Sequence, residues 1–334
     1  MTAPTTTPDA FTLAERLRAR RGYADRIFKA AVFSGAAIGV LALVGTTMFL
    51  VIEAWPAMIH YGPFSFLTSD RWAPSNAKAG ISHPNPYGIV QFIYGTLITS
   101  LIAMLIVVPT AVAVALFITQ IAPGWIQRPL SYLTDLLAAI PSVVYGFWGI
   151  FALVPALKPI GNALSSTVGR VPGIGVAFAG PFFGISYFTA GVVLSIMVLP
   201  IVIAICREVF ATTPTDYKEA ALALGATRWE MIRTSVLPRS RPGIVGGTIL
   251  GLGRAIGETI AVTMVIGNNV LNITKSILGQ GATMPSVIAN EFTEATEAFH
   301  KSSLFVVGMW LLAIALVVNI AGRLVIRQAR GVAL

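Results

Sequence analysis

Charge is scarce in this chain. Of 334 residues only 11% are Asp, Glu, Lys or Arg, whereas 55% are apolar and the mean hydropathy is +0.79. A soluble globular domain carries about 25% charged residues, so this chain has too little charge to clothe a water-facing surface, and an integral membrane protein is the class that remains. Cysteine occurs once, as Cys206 inside an apolar run, which excludes an intrachain disulfide. The three histidines, His60, His83 and His300, are far apart, lack metal-ligand spacing and read as solvated loop residues. No G-x-x-x-x-G-K-[ST] segment cradles a nucleotide, and neither an HExxH nor a GxSxG motif occurs. A self-powered pump and the commoner hydrolases are therefore excluded, and no cofactor or metal is expected on this chain.

Long apolar runs are what the chain has in abundance. They cover Ala30 to Ile52, part of Val90 to Ile121, Leu136 to Leu157, Tyr187 to Cys206 and Ser302 to Gly322, and a sixth, Gly243 to Gly267, carries Arg254 and Glu258. A helical span needs about 20 residues, so an all-α polytopic membrane protein with six transmembrane helices is expected. Pro109, Pro141 and Pro200 fall inside the second, third and fourth runs and predict kinks. Assigning loops to alternate sides puts sixteen Lys and Arg on one side and six, namely Arg71, Lys78, Lys158, Arg170, Lys275 and Lys301, on the other. The positive-inside rule then places both termini and the 212–241 loop in the cytoplasm. The same bias explains the net charge of +9 through membrane lipid, with no nucleic acid needed.

Three regions follow. Residues 1–29 form a cytoplasmic N-terminal segment, with a Thr- and Pro-rich, disordered stretch to Asp9 and then a basic helix, Phe11 to Lys29, lying at the membrane surface. Residues 30–326 are the six-helix membrane domain, its first span an uncleaved anchor, and 327–334 are a cytoplasmic tail. Trp55, Phe64, Phe66, Trp72 and Tyr87, in the outer loop after the first span, fit an interfacial aromatic belt better than a binding surface. Asn272-Ile273-Thr274 matches a glycosylation sequon, a pattern too short to carry weight.

The 212–241 loop is polar and helix-forming. Thr213 is placed to cap a helix that begins at Pro214 with Asp216 in its first turn, and Gly225 stops it. Thr227 and Glu230 have the spacing of a capping box for a second short helix, which Pro238 is expected to end. The outcome is two short helices joined at a glycine, with alanines small enough to lie in a partner's groove.

Glu219-Ala220-Ala221, Gly225 and Leu237-Pro238 resemble the EAA loop of bacterial ABC-importer permeases, with Ser235 standing where that family has isoleucine. Gly88-Ile89-Val90, Gly95-Thr96-Leu97, the run from Ala139 to Gly146, Gly253 to Thr259 and Pro285 to Phe292 follow in order, and together they resemble the phosphate ABC-transporter permeases of the PstC type. The resemblance implies a type I importer fold in the bacterial cytoplasmic membrane. It implies a second permease of the PstA type, a dimeric PstB-type ATPase that docks on the EAA-like loop and uses ATP and Mg, and an extracytoplasmic phosphate-binding protein of the PstS type.

Gly243, Gly247 and Gly251 form successive GxxxG steps in the fifth run, a spacing that admits another helix closely. On a straight helix Arg254 and Glu258 fall within a sector of roughly 80° with those glycines, and Arg254 lies about 17 Å along the span. A charge at that depth costs at least about 2.5 kcal/mol and ordinarily marks a pathway. An internal salt bridge is the competing reading, though the base-before-acid order is the weaker one on a helix. Guanidinium matches phosphate oxygens bidentately, while Glu258 would repel an anion and suits a gating role. The residues alone leave open another oxyanion such as sulfate or molybdate, and a non-conducting signalling subunit.

Overall fold

The computed structural model describes residues 10–69, 71–74, 85–271 and 274–331, with side chains described within 25–327. His83, Lys78, the first two sequon residues, the stretch to Asp9 and the side chains of the basic helix before Asp25 lie outside that description. The chain divides into two compact units, Met1–Glu53 and Ala54–Leu334. Most of α1 (Ala10–Tyr61) makes up the first. The helix passes from Lys29 into Ala30 unbroken, because the turns around that point hold neither glycine nor proline. Between Asp25 and Glu53 most of its apolar side chains, Phe28, Phe33 and Leu41 among them, are exposed, as a lipid-facing rod requires.

In the second unit a short α2 (Ser65–Thr68) leads to α3 (Val90–Leu116), which ends in a π-turn at Phe117–Ile121. α4 (Gly124–Ala139) and α5 (Ser142–Trp148) follow; α5 runs through a π-turn (Gly149–Leu153) into α6 (Val154–Thr167). Next come α7 (Tyr187–Ala211), α8 (Thr215–Ala223), α9 (Arg228–Met231), a third π-turn (Ile232–Val236) and α10 (Leu237–Gly257). α11 (Ile260–Ile266), α12 (Met284–Glu291) and α13 (Ala298–Gly331) complete the order. No strand occurs among the described residues, only isolated bridges at Trp72–Tyr87 and Gly267–Gly281.

Among the described residues five helical stretches are long and apolar enough to cross a membrane, and a bent pair makes a sixth if it is taken as one span. Pro109 and Pro200 lie inside α3 and α7 as expected. Pro141 does more than kink its run. α4 stops at Ala139, Ile140 and Pro141 are extended (ψ 129° and 141°), and a new helix starts at Ser142. The proline ring bars the α region to the residue before it, and a proline without N–H suits a helix start, so the stretch of spanning length is Ser142–Arg170 and not Leu136 to Leu157. The fifth run is broken too, with α10 and α11 bent by 63° about Glu258 and Thr259.

The larger core joins α3 and α7 through Val107, Ala111, Val193 and Val198, with Cys206 fully buried among them. Here Gly95 is obligatory, since a Cβ would fall 2.0 Å from the Ala282 carbonyl oxygen where the 279–283 segment crosses α3.

A second core corrects the reading of the outer loop. Phe66, Trp72 and Tyr87 are fully or almost fully buried, and only Trp55 and Phe64 of the five aromatics are exposed. His300, read from sequence as a solvated residue, is buried beside them with Nε2 2.9 Å from Glu291 Oε2. Alternating Pro, Gly and aromatic residues look the same in a belt as in a packed cap. The difference comes from α12 and α13, some 200 residues away, which close over the loop.

Candidate functional site

The docking loop is built largely as its local chemistry dictates. Thr227 N donates to Glu230 Oε2 at 2.8 Å and Glu230 N donates to Thr227 Oγ1 at 3.3 Å, completing the capping box. Gly225 adopts φ +84°, a left-handed conformation that a β-branched residue resists. Two details differ. Thr213 does not cap α8; its N–H still donates to Phe210 O in the turn that closes α7, its side chain is buried, and Pro214 occupies the N-cap position. Asp216 keeps its place in the first turn. Pro238 does not end the second helix. The wider π-turn just before it accommodates the ring, and the chain continues as α10 to Gly257.

Glu219 and Ala220 are exposed, Ala221 is half-buried, and Leu222, Leu224 and Trp229 are exposed around them. Leu237 and Pro238 are half-buried at the start of α10. Ser235, whose departure from isoleucine removes an apolar contact, instead donates its hydroxyl to the Tyr217 carbonyl at 3.2 Å. The Arg239 guanidinium lies over the same residue, 3.3 Å from the centroid of the Tyr217 ring. In the sequence Arg239 is one of the sixteen basic residues on the cytoplasmic side. Nothing local to either residue signals a partner 22 positions away.

Along α10 the small residues face α7. A Cβ on Gly243 would fall 2.4 Å from Val209, one on Gly247 3.1 Å from Ile205, and one on Gly251 2.7 Å from Val202. The seam continues at Ala255, which is buried. Arg254, still within α10, is exposed and has no hydrogen-bond or ion-pair partner among the described residues. Glu258 lies beyond the last turn with ψ 127°, and its Oε1 accepts from Ala261 N at 3.4 Å, at the start of α11. The expectation that Glu258 shares one helical face with Arg254 and the glycines is thus corrected, while Arg254 keeps its helical spacing from them. The helix ends between them, and they form no ion pair among the described residues.

The two broken spans meet. α5 and α11 each begin just after a break, and they pack together so closely that a Cβ on Gly146 would fall 2.5 Å from Met264 Sδ and 3.3 Å from Ala261 Cα. In many secondary transporters discontinuous helices of this kind form the substrate and ion sites near mid-membrane. Among the described residues no group of three or more His, Cys, Asp and Glu is placed to hold a metal.

Residues 111–331 match the family model described as the binding-protein-dependent transport system inner membrane component. The chain belongs to that family. Within it, the chain is 42% identical over 308 residues to the phosphate transport system permease protein PstC of Xylella fastidiosa (strain 9a5c), covering 92% of each. It is 39% identical to the PstC of Haemophilus influenzae, covering 91% of this chain and 93% of that one. It is 38% identical to the PstC 2 of Mycobacterium tuberculosis, covering 97% of each. These relatives put it among the PstC-type permeases. A chain of the MetNI methionine ABC transporter in an inward-facing conformation superposes with a TM-score of 0.54 at 18% identity, over 75% of this chain and 99% of that one. The fold is that of a type I ABC importer permease. As a PstC-type member of its family the chain is a transport permease and not itself an enzyme, a multi-pass protein of the plasma membrane. It works in general with a second permease, an ATPase and a binding protein.

Proposed function

We propose that this chain is the permease subunit of an ATP-driven phosphate importer, with both termini and the 213–238 loop in the cytoplasm. A PstS-type binding protein delivers phosphate, which crosses between this chain and a PstA-type permease. A PstB-type ATPase, which holds the ATP and Mg, docks on the loop at Glu219, Ala220, Ala221 and Gly225. This chain binds no cofactor. Arg254 and Glu258 belong to the substrate path. The observation that carries the reading is Arg254 itself, a guanidinium exposed near mid-span without a partner among the described residues, in a chain whose relatives transport phosphate by name. An unpaired charge there is costly unless a neighbouring subunit, water or a passing anion answers it.

The test is uptake into vesicles holding the complete transporter, with labelled phosphate, sulfate and molybdate supplied with binding protein. ATP-dependent uptake of phosphate alone is expected, and preference for another oxyanion would reassign the substrate. Orientation is checked in the same vesicles by cysteine labelling at Ser165 and Thr227. The native Cys206 is fully buried and contributes little background. Labelling of Thr227→Cys from outside would reverse the topology.

A further inference from the structure

We infer that Tyr217, Ser235 and Arg239 form a clamp that carries movement of the docking helix directly to the charged span, and that these are positioning residues for coupling. The inference rests on the ATPase-docking reading of the loop given above.

Two routes lead from α8 to α10. One follows the chain through Gly225, α9 and the π-turn at Ile232–Val236. Along it lie a glycine in a left-handed conformation and a turn with one residue of slack, both joints at which displacement is absorbed. The other route is through space. Tyr217 sits in the first turn of α8, two residues before Glu219. Its carbonyl is held by the Ser235 hydroxyl at 3.2 Å near the end of the π-turn, and its ring by the Arg239 guanidinium at 3.3 Å, two residues into α10. The Arg239 contact bypasses both joints, and the Ser235 contact bypasses the glycine. Beyond Arg239, α10 is helical to Gly257 and carries Arg254, so a tilt imposed on α8 reaches that guanidinium through one element.

Chemistry also distinguishes the clamp from packing. Tyr217 is 45% exposed and Arg239 is exposed, so burial contributes little to holding them. What holds them is cation–π attraction and one hydrogen bond, which are directional and tolerate small rotations without letting go. Ser235 is the position at which the EAA-like pattern has isoleucine, and isoleucine has no donor for the Tyr217 carbonyl.

The experiment uses the assembled transporter in vesicles and measures ATP hydrolysed, phosphate moved and ATPase retained. Tyr217→Leu and Arg239→Gln are expected to retain the ATPase and hydrolyse ATP, while phosphate moved per ATP falls roughly two- to fivefold, the scale of an exposed cation–π contact. Tyr217→Phe and Arg239→Lys, which keep the ring face and the charge, should restore the ratio. An unchanged ratio in Tyr217→Leu and Arg239→Gln would overturn the clamp. So would loss of the ATPase from those two variants, which would make the pair a docking contact, or a Tyr217→Phe defect as large as that of Tyr217→Leu. Glu219→Lys serves as the control for the underlying reading. If it binds ATPase and couples normally, the ATPase does not engage this loop and the clamp falls with it; if Glu219→Lys fails while the clamp variants couple normally, only the clamp is refuted.

Discussion

The Trp72 indole Nε1 donates to Glu291 Oε2 at 2.7 Å, across 219 residues of sequence. The same oxygen lies 2.9 Å from His300 Nε2, and Tyr87 stacks beside that histidine with 6.1 Å between ring centroids. One carboxylate therefore ties the loop before α3 to α12 and α13. A hydrogen bond to a charged group contributes about 1.5–3 kcal/mol, and stranding its buried partners adds to the loss.

Glu291→Ala should accordingly destabilise the protein by about 2–4 kcal/mol, since it leaves both the Trp72 and His300 nitrogens unanswered in a buried site. Glu291→Gln, which still offers the indole an acceptor, should lose less. Thermal unfolding in detergent ranks the variants. Equal melting temperatures for Glu291→Ala and the parent would show that the carboxylate ties nothing down.

Tyr87 offers a pH-dependent test of the same core. Burial first, then the neighbouring Tyr61, Glu297 and Glu291, push its hydroxyl up to about 12. A tyrosine titrates near 10 when unfolded, so the stabilisation is fully present below pH 10 and is lost as the pH climbs towards 12. Its buried hydroxyl finds no hydrogen-bond partner among the described residues. Tyr87→Phe is therefore expected to be neutral or stabilising by about 1 kcal/mol at pH 7, and to flatten the fall in stability between pH 10 and 12. A clear destabilisation at pH 7 would reveal a partner for the hydroxyl.

The glycines of α10 divide into two kinds. Gly251→Val places methyl groups where Val202 and Val198 already lie within 3.0 Å of the first added carbon, and should cost about 1–3 kcal/mol by overpacking. Gly253 meets nothing within 4 Å in this chain, so Gly253→Ala should insert and melt at or above the parent temperature, as helix propensity alone predicts. A Gly253→Ala melting temperature below that of Gly251→Val would invert the assignment of faces.

For the charges at the broken span, Arg254→Ala is expected to lower phosphate uptake roughly ten- to a hundredfold with the complex still assembled, the worth of one charge-assisted hydrogen bond. The double variant Arg254→Met, Glu258→Gln decides between a path and a charge pair. Uptake restored to the parent level in the double variant would leave the two residues a compensating pair and take them out of the path.

Uninterrupted apolar composition was enough to locate four of the spans, the first, second, fourth and last, because each helix must satisfy its own backbone in lipid and the signal is local. The breaks were not legible. Pro141 looked like Pro109 and Pro200, which their helices tolerate, and only the packing of α5 against α11 at Gly146 separates a break from a kink. Glu258 was read at helical spacing from Arg254, because nothing in Gly257-Glu258-Thr259 forbids helix. In the docking loop the capping box and Gly225 were legible from a few adjacent residues, while the roles of Thr213 and Pro238 were not, because the end of α7 keeps the Thr213 N–H and the π-turn at Ile232–Val236 accommodates the Pro238 ring. Trp72, His300, Tyr217 and Arg239 acquire their partners only through the tertiary fold, and no local pattern announces them.

The interruption at Glu258 also bears on how the subunit lives in the cell. A helix end leaves up to four N–H or C=O groups unanswered, and here a single carboxylate oxygen answers Ala261 N while Glu258 N turns back to Ala255 O. Hydrocarbon does not tolerate open backbone of this kind unless protein or water covers it. A copy of this chain alone in a bilayer is thus an unfinished object, with a polar wound in its fifth span that lipid cannot dress. Closing it falls to a neighbouring subunit or to water.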